Sequence, residues 1–222
     1  MPAVIFDLDG TLADTSADLI AAANASCAEL GHGPLLDAKA DALTAFHGGR
    51  AMLRLGFSRL GKSWDEAGVD ACYPRFLDHY AEGIDRHTRP YPGVEAALDR
   101  LLGLGLDLAI CTNKPEALAE TLMQRLGLRD RFGALVGADT LPVRKPDPAP
   151  YHECLRRLGR SGEASFLVGD TVTDRDTARA AGVPVVLVAF GPEGADVARF
   201  EPDAMLQSYA DLHSVTLRLI RE

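Results

Sequence analysis

The sequence predicts an α/β protein: a parallel sheet core carrying an inserted helical domain. Short runs rich in Val, Ile and Leu recur at Ala3–Phe6, Leu106–Cys111, Ala134–Val136, Ser165–Val168 and Pro184–Ala189. Stretches with apolar residues at helical spacing separate the later runs. Near-continuous apolar strands between helices read as a parallel sheet covered on both faces. The alternation breaks once, between about Thr15 and His87, where no convincing strand occurs.

The first run follows Met-Pro directly and reads as a core strand rather than the apolar part of a leader peptide. It ends on an aspartate, and in VIFDLDGTLADT (4–15) a second aspartate follows two positions later, before Gly-Thr. Four helices are expected next, at Ala17–Leu30, Asp37–Phe46, Arg50–Leu60 and Trp64–Ile84, separated by Gly31–Pro34, Gly48–Gly49 and Gly61. An insertion of about 70 residues far exceeds the roughly 2–6 of an ordinary strand–helix connection. Residues 15–87 are therefore expected to form a small helical cap domain, and 1–14 with 88–222 the catalytic core. Trp64, Tyr73 and Phe76 are expected in the cap's own core. Pro90-Tyr91-Pro92-Gly93 marks the return, and helices follow at Val94–Leu102, Glu116–Leu126, Pro148–Leu158 and Asp174–Ala181. Gly127 and Gly182 stand where helices end.

Composition narrows the function. The net charge of -9 argues against nucleic acid or an anionic membrane surface as a partner. An anionic substrate then needs locally concentrated positive charge. No apolar stretch approaches the roughly 18–20 residues of a transmembrane helix. The four cysteines, Cys27, Cys72, Cys111 and Cys154, include no Cys-x-x-Cys, which suits free thiols in a reducing, cytoplasmic setting. The six histidines form no metal-ligand pattern.

In open parallel sheets, sites form beyond the carboxyl ends of the strands. Asp7 and Asp9 follow the first strand; Thr112, Asn113 and Lys114 the second; Arg144-Lys145-Pro146, by way of a loop, the third; and Gly169-Asp170-Thr171-Val172-Thr173-Asp174 the fourth. An aspartate can attack phosphorus to form an aspartyl-phosphate. Clustered carboxylates suit Mg²⁺, which together with Lys145 balances four acids and screens an anionic substrate from an anionic nucleophile. Thr112 and neighbouring backbone N–H groups can hold phosphoryl oxygens. Of two carboxylates two residues apart, one can attack while the other moves protons. Asp174 taken alone also reads as a cap for the helix after it.

These motifs resemble the haloacid dehalogenase superfamily of phosphatases: Asp-x-Asp-Gly-Thr at Asp7–Thr11, the hydroxyl at Thr112, the lysine at Lys145 and Gly-Asp-x-x-x-Asp at Gly169–Asp174. The strings YPGVEAALDRLLGLGLDLAICTNK (91–114), LPVRKPDPAPY (141–151), VGDTVTDRDTARAAG (168–182) and PDAMLQSYADL (202–212) are similar to its phosphoglycolate phosphatase branch. The resemblance implies a Rossmann-like core with a helical cap and a Mg²⁺-dependent phosphomonoester hydrolase, with 2-phosphoglycolate as the expected substrate. It implies Asp7 as nucleophile, Asp9 as general acid/base, Thr112 and Asn113 on the phosphate, and Lys145 holding nucleophile and phosphate. It also implies Mg²⁺ on Asp7, the backbone carbonyl of Asp9 and Asp170, with Asp174 acting behind or through water.

A phosphosugar mutase or sugar-phosphate phosphatase would use the same machinery, and a phospho-aspartate receiver module uses similar residue types. The receiver lacks both the helical insertion and the Asp-x-Asp-Gly-Thr string, and a hydrolytic dehalogenase needs no metal. The expected partner is a small phosphorylated metabolite, and the expected state a monomer or small homo-oligomer. Substrate choice must come from the cap. There Arg50 follows Gly48-Gly49 and opens a helix, so it reads either as a guanidinium for a second substrate anion or as a solvated helix residue. His47 is the next candidate in that loop.

Overall fold

The structure, a computed structural model, describes residues 2–61, 64–160 and 164–220. The chain divides into two compact units, one of residues 1–13 and 90–222 and the other of residues 14–89.

The first unit is built on a six-stranded, all-parallel sheet. Its strands are β1 (Ala3–Phe6), β4 (Asp107–Cys111), β5 (Ala134–Val136), β6 (Ser165–Gly169), β7 (Val185–Val188) and β8 (Ala204–Leu206), in the order β5-β4-β1-β6-β7-β8. A separate two-stranded sheet pairs β2 (Ala13–Asp14) with β3 (Arg89–Pro90). Every residue of β1 is buried, because β1 is the middle of the sheet and is covered on both faces. Its register puts Phe6 level with Ile110 on one side and Val168 on the other. The chain therefore winds outward in both directions from β1, and the strand order reverses there. Such a switch point opens a crevice at the carboxyl ends of the strands.

Helices α5 (Val94–Gly103), α6 (Glu116–Arg125), α7 (Ala149–Arg157), α8 (Val172–Ala181) and α9 (Leu212–Leu219) complete this unit. In α5 the buried residues Val94, Ala97, Leu98 and Leu101 recur at three- and four-residue spacing, the stripe an amphipathic helix turns to a core. The edge strand β8 was not among the expected strands. It is only three residues long, Ala-Met-Leu between Asp203 and Gln207, so its apolar run is too short to stand out from a loop.

The second unit contains α1 (Ser16–Glu29), α2 (Ala42–Ala45), α3 (Gly49–Ser58) and α4 (Glu66–Glu82). The carboxylate of Asp18 accepts the backbone N–H groups of His87 and Thr88 and the Thr88 hydroxyl, at 2.8–3.1 Å, which ties the end of the segment to α1. Helix α2 is shorter than the expected 37–46. Asp37 Oδ1 accepts the N–H groups of Lys39 and Ala40, and Asp41 Oδ2 accepts that of Asp37, so side chains close residues 37–41 into a turn ahead of the helix. Phe76 lies in this unit's core as expected, but Trp64 is 40% exposed. Trp64 precedes Asp65, the N-cap of α4, and so sits outside the helix's inner face. No helix among the described residues is long and apolar enough to cross a membrane.

Candidate active site

Four strand-end segments of the first unit converge. Asp7 continues β1, and its N–H donates to Val168 O at 2.8 Å, extending the ladder one residue past the strand. Asp7 Oδ1 accepts the N–H of Leu8 at 2.7 Å and lies 3.1 Å from Lys145 Nζ. Lys145 Nζ also donates to Asp174 Oδ1 at 2.7 Å, and its side chain is only 2% exposed. The Asn113 amide donates to Lys145 O at 3.0 Å, so the residue after Thr112 holds the lysine's loop against β4.

Asp174 uses both oxygens. While Oδ1 takes Lys145, Oδ2 accepts the N–H groups of Asp170 and Thr171 and the Thr171 hydroxyl, at 3.2, 3.1 and 2.8 Å. It closes a capping box at the start of α8 and orients the lysine with the same carboxylate. Gly169 permits this closeness: a Cβ there would lie 2.3 Å from Asp174 Cγ. Asp170 is fully buried. Its Oδ1 accepts the Thr11 hydroxyl at 2.9 Å, but its Oδ2 has no hydrogen-bond partner. A buried carboxylate oxygen without a donor is costly unless a cation meets it.

The acids strain against one another. Burial, above all, raises Asp7 to about 6; Lys145 pulls the other way, and Asp174 and Asp9 push up. Burial, Asp174 and Asp7 hold Asp170 well above the ordinary carboxylate range. For Lys145, burial alone would lower the pKa, but the carboxylates of Asp174 and Asp7 outweigh it and raise it. With all four ionised, the carboxylates of Asp7, Asp9, Asp170 and Asp174 would carry two charges more than the ammonium groups of Lys145 and Lys114 offset. Asp7, Asp170 and Asp174 each offer an oxygen within 4.8 Å of the others. An all-oxygen donor set, surplus negative charge and an orphaned carboxylate oxygen fit a hard divalent cation.

Of the residues singled out from sequence, Asp7, Asp9, Thr112, Asn113, Lys145, Asp170 and Asp174 all lie in this unit. Thr112 is buried, and its Oγ1 accepts the N–H of Lys114 at 3.2 Å, leaving the hydroxyl proton to donate. Arg50 and His47 belong to the other unit. There Arg50 lies 2.8 Å from Asp70 and 3.9 Å over the Tyr73 ring, and His47 is exposed.

Three contributors were not assigned from sequence. Lys114 Nζ donates to both oxygens of Asp9, at 2.7 and 2.9 Å. The Tyr209 hydroxyl donates to Thr11 O at 2.8 Å and steadies the loop after β1. Gly191, after β7, approaches so closely that a Cβ would lie 2.9 Å from Gly10 O and 3.4 Å from Asp170 Cβ. Lys114 had a signal, a lone charge three residues past a buried strand. Tyr209 and Gly191 had none, because only the folded sheet brings their segments to β1.

Known proteins share this architecture. The chain is 44% identical to a phosphoglycolate phosphatase of Mesorhizobium japonicum, covering 99% of this chain and 97% of the relative. A phosphoglycolate phosphatase of Agrobacterium fabrum is 38% identical over 95% of this chain and 90% of its own length. Among solved structures, one described as a predicted phosphoglycolate phosphatase from Haemophilus somnus superposes with a TM-score of 0.85 at 25% identity, covering 96% of this chain and 97% of that one. A haloacid dehalogenase-like family protein from Streptococcus pneumoniae shares the fold, with a TM-score of 0.80 at 21% identity and coverage of 96% and 97%. The model of the family named haloacid dehalogenase-like hydrolase matches residues 4–188, which include all four strand-end motifs, and the chain belongs to that family.

Proposed function

We propose that this protein is a Mg²⁺-dependent phosphomonoester hydrolase that works through an aspartyl-phosphate on Asp7, with 2-phosphoglycolate as its substrate. The observation that carries the reading is Asp7 itself: a largely buried strand-end carboxylate with Lys145 3.1 Å away and the orphaned oxygen of Asp170 in the same cluster. The relatives named phosphoglycolate phosphatase, at up to 44% identity, support the substrate.

Asp7 attacks phosphorus, and the bond to the ester oxygen breaks. Asp9 gives its proton to the departing oxygen. Water then attacks the phosphorus while Asp9 takes a proton from it, and Asp7 leaves as a free carboxylate. Lys145 keeps its charge beside Asp7, while the Thr112 hydroxyl and Asn113 hold phosphoryl oxygens. Asp7, the backbone carbonyl of Asp9 and Asp170 would hold Mg²⁺, with Asp174 fixing Lys145 behind them. Bound there, the ion supplies the positive charge that lets anionic ester and anionic nucleophile meet. The four free, buried cysteines support a cytoplasmic setting.

A panel of phosphate esters, 2-phosphoglycolate and sugar phosphates among them, assayed with Mg²⁺ and with chelator, tests the reading. Mg²⁺-dependent release of inorganic phosphate, fastest from 2-phosphoglycolate, is expected. Chelator-resistant activity, or transfer of the phosphoryl group to a sugar instead of water, would refute it.

Two variants probe individual roles. Asp9→Asn should slow first-turnover release of an alkyl alcohol by about 10²-fold or more, because a poor leaving group needs the proton in the transition state. First-turnover release of nitrophenolate from p-nitrophenyl phosphate should fall far less. Equal losses would mean that Asp9 serves the site mainly through metal geometry.

Arg50→Ala should raise KM for 2-phosphoglycolate about tenfold or more, about 1.4 kcal/mol, and leave p-nitrophenyl phosphate unaffected. The Arg50–Asp70 pair is well exposed, 38% and 60%, and such pairs hold by only about 0.2–1 kcal/mol. The guanidinium is thus cheaply exchanged to a substrate carboxylate. If both esters suffer alike, or neither does, His47 is the next residue to replace.

A further inference from the structure

Two lysines are buried in this site, and they serve different carboxylates. Lys145 is bonded to Asp7 and Asp174, whereas Lys114 is bonded to Asp9. Lys114 has no task in the mechanism above. Its contact is nevertheless the most symmetrical of the site: one ammonium meets both oxygens of Asp9, at 2.7 and 2.9 Å. The lysine side chain is 3% exposed and the aspartate side chain 20%, so the buried amine backs a carboxylate that keeps an open edge. The backbone beneath Lys114 is pinned from two directions. Its N–H donates to Thr112 Oγ1 at 3.2 Å, and its carbonyl accepts the N–H of Ala138 at 2.9 Å. Asp9 lies past the end of β1, where its carboxylate can rotate about χ2. A bond to each oxygen removes that rotation.

From this geometry we infer that Lys114 is a positioning residue for Asp9. It holds the carboxylate in one orientation through both proton transfers, to the leaving oxygen and from the attacking water, and keeps its own protons throughout. The inference rests on the hydrolase reading above. It separates the two lysines by role, Lys145 with the nucleophile and Lys114 with the acid/base. Because Lys114 acts through Asp9, its loss must reproduce the selectivity of losing Asp9.

The test replaces Lys114 by Met and by Arg, alone and in the Asp9→Asn background, and measures first-turnover release from 2-phosphoglycolate and from p-nitrophenyl phosphate. Lys114→Met should slow the alkyl ester by about 30-fold or more and the nitrophenyl ester by less than about fivefold, with KM nearly unchanged for both. Lys114→Arg, which can still pair with the carboxylate, should recover part of the loss. In the Asp9→Asn background the same replacement should change either rate by less than about twofold, since residues acting as a unit are not additive. If Lys114→Met does not fold, Lys114→Gln carries the same comparison. Equal slowing of both esters, a rise in KM for both with kcat kept, or an additive loss on top of Asp9→Asn would overturn the inference. A parent protein that hydrolyses no phosphate ester would instead overturn the hydrolase reading on which it rests.

Discussion

Asp7→Asn is expected to abolish turnover, with kcat down by about 10⁴-fold or more, as when other covalent nucleophiles are removed. The folded protein should be no less stable. Burial and the neighbouring acids raise Asp7 to about 6, so the charged form is held at a cost in the metal-free fold. Asparagine keeps the shape and drops the charge, and Lys145 keeps its 2.7 Å bond to Asp174. Turnover and the melting temperature, measured on the same preparation, check this. Substantial residual hydrolysis would mean that water attacks the ester directly. A large drop in melting temperature would mean that Asp7 holds the fold and that the lost activity says little about chemistry.

Asp170→Asn should have the next largest effect, and its clearest readout is not activity. Asn keeps an oxygen for the Thr11 hydroxyl and removes a fully buried charge whose Oδ2 has no partner. Without metal, the variant should melt a few degrees higher than the parent, since relief of about 1 kcal/mol moves a domain of this size by roughly 2–4 °C. With Mg²⁺ the order should reverse. The parent should gain stability and the variant little, because binding to the folded state stabilises it only as far as affinity allows. Activity should fall with the affinity and return in part at high Mg²⁺.

The pH dependence follows in sign. Asp7 and Asp170 are both raised, so the metal-free fold favours their protonated forms. That stability is complete below the ordinary value of 3.8 and is lost as pH climbs, through about 6 for Asp7. Mg²⁺ displaces those protons, so its affinity should rise across the same window. A variant no more stable than the parent without metal, yet shifted equally by Mg²⁺, would place the ion elsewhere.

Much of the core was legible because its signals are local. A buried strand such as Ala3–Phe6 announces itself by four apolar residues in a row, and the polar residues after it mark a strand end. The elements that sequence missed have weak local signals. β8 is a run of only three apolar residues, and ahead of α2 aspartate side chains close a turn over residues 37–41 that reads from sequence as the helix's first turn. Asp174 had two readings, helix cap and site residue, and its two oxygens serve both. Side-chain pairing was the least legible feature. Lys114 meets Asp9 across 105 positions and Tyr209 meets Thr11 across 198, and no periodicity or spacing encodes such contacts.

If Asp7 carries the phosphoryl group between the two steps, the Asp9→Asn variant is the protein in which to look for it. With p-nitrophenyl phosphate the first step needs little help from an acid, but the second still lacks its base, so the intermediate should accumulate. The reaction is quenched in acid within the first turnover, digested and read by mass spectrometry. A burst of nitrophenolate close to one per active site is expected, with one phosphoryl group on the peptide containing Asp7. A burst with the phosphoryl group on another residue, or first-turnover nitrophenolate matched throughout by free phosphate with unmodified Asp7, would contradict that role for Asp7.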